Sequence, residues 1–196
     1  MAHDNEDDHG LMVRVQRGDH QAFSHLVQRH STRFYAVAYR MLNNSTEAED
    51  VVQDSFLKLW NKPQAWDSRK NAKFTTWFYR VVTNAAIDRA RRRVKMVSGE
   101  KIIDFVADDR RNAEDQMYQD ETQRILEEAI QSLPDRQRAA LNLCFYEGLS
   151  NKEAAEILDV NLKALESLLM RAKAGMKDYM TRNGYLQDQM LKGAQG

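Results

Sequence analysis

The sequence predicts an all-α protein: two small helical domains joined by a flexible acidic linker. Three observations carry that prediction. Proline and glycine are scarce, at 2 and 8 of 196 residues, while strong helix formers abound. Apolar residues recur at three- and four-residue spacing through most of the chain, the period of a helix with one buried face. That periodicity fades between Ser98 and about Asp120, where "VADDRRNAEDQ" has little to bury. These signals mark an N-terminal tail over 1–18, a first domain over 19–97, the linker over 98–121, a second domain over 122–181 and a C-terminal tail over 182–196.

The first domain opens with an amphipathic stretch from Asp19 to Leu42. Phe23, Leu26, Val27, Phe34, Val37, Ala38, Met41 and Leu42 form its apolar side. After "NNS", Thr46 and Glu49 read as a capping box, in which each side chain satisfies a free backbone N–H. The helix "EAEDVVQDSFLKLW" follows and ends ahead of Pro63, because the residue before proline is pushed out of helical geometry. On a helical wheel Ala48, Val51, Val52, Ser55 and Leu59 make the core face. Gln53, Leu57 and Trp60 point away from it, with Glu49 and Phe56 at the flank. Outward Leu and Trp beside carboxylates suit a protein partner; a helix buried on two sides is the alternative. A polar loop, "NKPQAWDSRKNAK", leads to a strong helix starting near Phe74. Phe74, Trp77, Phe78 and Tyr79 crowd its start, and Arg80, Asn84, Asp88, Arg89 and Arg91 to Arg93 line its later turns. Rings beside cations suit unpaired nucleotides, since rings stack on bases while cations hold phosphates. A purely structural role for the rings stays open.

The second domain starts near Thr122 with "ETQRILEEAIQSL". "LPDRQRAALNLCFYEG" is its next helix, with Pro134 in the first turn and Gly148 at the end. Ser150 and Glu153 form a capping box for "NKEAAEILD". That helix buries Ala154, Ala155, Ile157 and Leu158. A tight turn follows, then a long helix from Asn161 to about Thr181 that buries Leu162, Leu165, Leu168 and Leu169. This is the layout of a helix-turn-helix. The outer face of the second helix carries Lys163, Glu166, Ser167, Met170, Arg171 and Lys173, the face that would enter a DNA major groove. A plain helical hairpin with a solvated face is the alternative.

Charge sums to zero but is segregated. Residues 62–97 carry ten cationic and two acidic side chains, and residues 98–128 carry four and ten. A basic block of that kind suits a polyanion. Other classes find no support. Cys144 is the single cysteine, so no intramolecular disulfide can form, and a buried reduced thiol in a cytoplasmic protein is expected. The acidic N-terminus lacks the apolar run of a signal peptide, and no segment approaches the roughly 20 apolar residues of a membrane span. His20, His25 and His30 fall five residues apart, which rotates them away from one another on a helix. No metal-ligand spacing, phosphate loop or nucleophile motif is present, so no catalytic residue, metal or cofactor is expected and an enzyme is disfavoured.

Taken in order, "EAEDVVQDSFLKLW", "FTTWFYRVVTNAAIDRARRRV", "LPDRQRAALNLCFYEGLSNKEAAEILDV" and "SLLMRAK" resemble the bacterial RNA polymerase sigma factors of the extracytoplasmic-function (ECF) class, over about Asp19 to Met180. The resemblance implies a region 2 domain and a region 4 domain. It implies that Glu49, Asp50, Gln53, Asp54, Phe56, Leu57 and Trp60 dock on the coiled coil of the polymerase β′ clamp, with the β subunit as a further contact. It implies that Lys62, Trp66, Lys73, Phe74, Trp77, Arg80, Asn84, Arg89, Arg91, Arg92 and Arg93 open and read the −10 promoter element. The −35 duplex would meet Ser150, Lys152, Lys163, Glu166, Ser167, Met170, Arg171 and Lys173. The linker would thread the polymerase RNA channel, and an anti-sigma factor would mask these faces. One departure stands out: the recognition helix opens "KALESL" where the family often has a "GTVKSR"-like run, so the −35 preference is this chain's own. The competing reading is a stand-alone helix-turn-helix regulator of operator DNA. It accounts for the second domain and leaves the first unexplained.

Overall fold

A computed structural model describes residues 6–67, 73–99 and 117–185. Every regular element among them is helical, and each boundary has a local cause. Helix α1 spans Asp8–Val15 and is capped by Asp7, whose carboxylate accepts from the Gly10 N–H. Helix α2 spans His20–Leu42; Asp19 caps it by accepting from Gln21 and Ala22, and Asn43 ends it in the left-handed region at φ 49°. Helix α3 spans Ser45–Asn61. Its cap is Asn44, which accepts from the Glu47 N–H at 2.8 Å. The helix therefore starts before Thr46, and the capping box expected from Thr46 and Glu49 is not formed. A short 3-10 turn over Pro63–Ala65 follows, then helix α4 over Phe74–Gly99.

Residues 6–18 are more than a tail. Leu11, Met12 and Val15 of α1 are buried in the core. Asp8 anchors the helix through Arg29 and His30 at 2.8 and 2.9 Å. Burial alone would raise the Asp8 carboxyl, but those two neighbours outweigh it and hold it below its ordinary value. Helices α2, α3 and α4 enclose a core of interlocked rings. Phe34 meets Phe78 and Tyr79 edge-on with centroids 4.7 and 5.0 Å apart, a favoured aromatic geometry.

The C-terminal unit comprises α5 (Met117–Gln131), α6 (Asp135–Leu141), α7 (Asn151–Leu158) and α8 (Leu162–Arg182). Helix α5 starts earlier than the sequence suggests. The expected linker lies outside the described residues except at its ends, in α4 and α5. The segment "LPDRQRAALNLCFYEG" is not one regular helix either. After Leu141 it widens into a π-turn over Asn142–Tyr146, and Gly148, at φ 65°, closes it in a conformation that suits glycine. Helix α7 begins with the expected capping box: Ser150 accepts from the Glu153 N–H, and Glu153 accepts from the Ser150 N–H at 3.0 Å. Asp159 and Asn161 make the tight turn, the former at φ 54° and the latter capping α8 through the Ala164 N–H.

The two units share one core. Ala139, Ala140, Leu143, Ala154, Ile157 and Leu165 belong to the same buried cluster as Phe34, Val37, Tyr79 and Val82. Ile130, Leu133, Leu141 and Ala172 form a smaller cluster inside the C-terminal unit.

Candidate polymerase and nucleic-acid interfaces

Three surfaces hold the residues singled out in the sequence. The first is the outer side of α3. Glu49, Asp50, Gln53 and Asp54 are exposed, and Leu57 is 56% exposed although apolar. Trp60 is half-buried against Phe23 and His20 of α2, with centroids 5.0 and 4.3 Å away. His20 and Phe23 therefore widen this apolar patch. The helical period had assigned Phe23 to the core and gave His20 no role. Phe56 departs from expectation: it is 5% exposed and packs on Phe78 at 4.6 Å, so it belongs to the core and supports the surface from behind. Asp50 is exposed but already paired with Arg89 at 2.7 Å.

The second surface lies along α4 and the loop before it. Phe74 and Trp66 are each 2% exposed. Neither ring can stack on a base without leaving the core, which corrects their reading as nucleotide contacts. Trp66 instead pins the loop: its carbonyl accepts from the Gln16 side chain at 2.8 Å, and its ring meets His9 edge-on. Phe78 is likewise core, whereas Trp77 is half-buried, resting on Phe74 and Phe78 with one side available. Lys62, Lys73, Arg80, Asn84, Arg91 and Arg92 are exposed. Arg89 and Arg93 are not free cations. Arg89 pairs with Asp50, while Arg93 donates to the Leu42 carbonyl at 3.2 Å and lies 3.5 Å from Glu47, tying α4 to the end of α2.

The third surface is the outer face of α8. Lys163, Glu166, Met170, Arg171 and Lys173 are exposed, Met170 to 67%, and Ser167 is partly so. Ser150 and Lys152 are exposed at the start of α7. Leu165 is fully buried between α7 and α8, but Leu162 is 49% exposed and does not join the core as its spacing suggested. Lys173 lies over the Phe145 ring at 5.3 Å, which gives the 59%-exposed Phe145 a cationic neighbour.

A fourth feature has no counterpart in the sequence reading. Where the units meet, Glu147 turns into α2 and α4 with only 7% of its side chain exposed. It accepts from the Tyr79 hydroxyl at 2.6 Å and from Arg40 at 2.9 Å, and it pairs with Arg33 at 3.3 Å. Burial, followed by the Glu147 carboxylate, pushes the Tyr79 phenol far above its ordinary value. Arg138, 7% exposed, donates to the carbonyls of Met41, Gln131 and Leu133. Asn142 donates to the Val37 carbonyl at 3.1 Å and Gln131 to that of Arg40 at 2.9 Å. Two of these partners, the carbonyls of Arg40 and Met41, lie in the last turn of α2, where the helix has no further N–H to donate to them. Beside the junction, Lys73, Trp77 and Arg80 face Glu153, Glu156 and Ile157 of α7 across a cleft of about 730 Å³. Ser150 holds the Glu153 carboxyl below its ordinary value, with Lys73 adding to the effect.

Comparison with known proteins assigns these surfaces to a family. The family model described as sigma-70 region 2 matches residues 26–96, and that of sigma-70 region 4 matches residues 123–176. The ECF RNA polymerase sigma factor SigW of Bacillus subtilis is 30% identical over 173 residues, which span 84% of this chain and 91% of the relative. This chain belongs to the ECF RNA polymerase sigma factors. It is thus a transcription initiation factor, with region 2 falling in α2–α4 and region 4 in α5–α8. Solved structures agree on the fold. CnrH in complex with the cytosolic domain of CnrY superimposes with a TM-score of 0.65 at 24% identity, over 90% of this chain and 99% of that one. The sigma factor RpoE of Bartonella quintana, in complex with the anti-sigma factor NepR, gives 0.63 at 22%, over 81% of this chain and 96% of that one. Among the described residues of this sigma factor, no helix is long and apolar enough to cross a membrane.

Proposed function

We propose that this sigma factor divides promoter recognition between the α4 and α8 surfaces, and that it joins core polymerase through α3. The observation that carries the reading is the pair of exposed basic surfaces, one per unit: Trp77 with Arg80, Arg91 and Arg92 on α4, and Lys163 to Lys173 on α8. A half-buried Trp with cations along the same helix suits an unpaired −10 strand, where one stack contributes about 1–3 kcal/mol. That stacking offsets the few kcal/mol needed to take a base out of the duplex. The α8 face suits the −35 duplex. Arg171 and Lys173 can meet guanine edges or phosphates, and Glu166 can accept from a cytosine amine. The exposed Leu57 and half-buried Trp60, rimmed by carboxylates, suit the clamp coiled coil of β′, with β as a further contact. The sigma factor carries no chemistry of its own in this scheme and acts in the cytoplasm. An anti-sigma factor would restrain it, as NepR accompanies the similarly folded RpoE of Bartonella quintana.

Transcription in vitro tests this. The chain is mixed with sigma-free core polymerase and fragmented genomic DNA, and transcript 5′ ends are sequenced. Discrete starts sharing two upstream elements are expected, falling about tenfold or more in Trp60→Ala and in Arg91→Ala/Arg92→Ala. Absence of discrete starts overturns the reading.

A further inference from the structure

Helix α1 lies ahead of the stretch that the region 2 family model matches, which begins at residue 26. In this chain it is built as an anchor. Leu11, Met12 and Val15 are buried, and Asp8 bonds to Arg29 and His30 of α2. Its last turn is fixed as well. Arg14 pairs with Asp19 at 2.8 Å, the Gln16 N–H donates to the Met12 carbonyl at 2.9 Å, and Gly18 closes the turn at φ 84°.

From this fixed point the Gln16 side chain reaches across to residues 47 and 50 positions further along the chain. Its amide donates to the carbonyl of Pro63 at 3.2 Å and to that of Trp66 at 2.8 Å. The Gln64 side chain donates back to the Gln16 carbonyl at 3.4 Å. The Pro63–Ala65 turn is weakly held from within. None of its three residues is buried, and the bond from the Trp66 N–H to the Pro63 carbonyl is long, at 3.4 Å. Ala65, Trp66 and Asp67 nevertheless form one wall of the cleft that Lys73, Trp77 and Arg80 also line. A base that stacks on Trp77 is selected by the space beside that ring, and a wall free to shift by a fraction of its width selects poorly.

We propose that Gln16 is a positioning residue for −10 recognition: through its amide, α1 sets the Pro63–Trp66 turn against Trp77 and so sharpens the choice of base that the cleft accepts. This rests on the reading of α4 as the single-strand surface. In this role Gln16 acts through the two carbonyls that it holds rather than by touching DNA.

The test uses holoenzyme reconstituted from core polymerase and full-length wild type, Gln16→Met, Gln16→Lys or Trp77→Ala. Methionine matches glutamine in length and has no donor, whereas lysine retains N–H donors on a side chain long enough for both carbonyls. Each holoenzyme is titrated with two fluorescein-labelled single strands: the −10 strand read from the transcript starts, and a scrambled strand of the same composition. The readout is the ratio of the two affinities, which a mere loss of folded protein does not move. Gln16→Met is expected to lower that ratio about tenfold, the scale of two hydrogen bonds of ordinary net strength, while competing with wild type for core polymerase equally well. Gln16→Lys is expected to keep most of the ratio. Circular dichroism checks folding, and Gln16→Ser, polar but too short to reach, stands in if Gln16→Met does not fold. An unchanged ratio in the folded variant overturns the proposal and leaves Gln16 a purely structural contact. A ratio as low in Gln16→Lys as in Gln16→Met overturns the role of the donated bonds. Loss of the ratio in Trp77→Ala alone overturns the part given to Gln16 and leaves the proposed function standing. No loss in Trp77→Ala overturns the reading of α4, and this inference with it.

Discussion

Asp8 shows how much one side chain in a short helix can carry. It ties α1 to Arg29 and His30, and its carboxyl lies below the ordinary 3.8. A carboxyl depressed by folding adds stability above its unfolded value, and that stability is lost as pH falls through the folded value. Wild type is therefore expected to melt higher than Asp8→Asn at pH 6, with the gap closing as pH drops from about 5 to 3; thermal melts across that range check it. At this scale the sequence was partly legible. Exposed charges such as Lys163, Glu166, Arg91 and Arg92 stand where their helical positions placed them. Aromatic residues were harder to place. Phe56, Trp66 and Phe74 lie on polar or mixed stretches, yet all three are buried, because a ring's burial depends on which neighbouring helix covers it. Arg89 and Arg93 read as part of a DNA-facing stripe, but their partners come from α2 and α3, which no local pattern reveals.

Whole elements were far more legible than their ends. Helix α2 begins and stops where its apolar period and the break at "NNS" predict. Helices α7 and α8 meet at the expected turn, since a left-handed Asp159 and an Asn161 cap are local features. Two elements escaped. Helix α1 is only 8 residues long and follows an acidic run, so its three core residues make too short a pattern to read. The π-turn at Asn142–Tyr146 escaped because Asn142 bonds to α2, a partner far away in sequence. The Ser150 capping box belongs to this scale too. Its hydroxyl satisfies one of the orphan donors at the start of α7, and an N-cap Ser→Ala change costs about 1 kcal/mol. Ser150→Ala is expected to lower the urea midpoint accordingly, while Ser150→Asp, which retains an acceptor, keeps most of it.

For the whole molecule, two helical units and a basic block followed by an acidic stretch were evident in the sequence, but the contact between the units was not. The junction is built from side chains reaching backbone carbonyls and from one buried carboxylate, features without periodicity. A single buried cluster running through both units has a measurable corollary for a divided chain. Fragments 1–107 and 108–196, made separately, are expected to find each other in solution, and Glu147→Ala is expected to weaken their association. Calorimetric titration supplies the dissociation constant. In the intact chain the tether imposes an effective concentration of order millimolar. The ratio of that concentration to the fragments' dissociation constant is the closing equilibrium itself. Cutting the chain thus turns a conformational preference into an affinity.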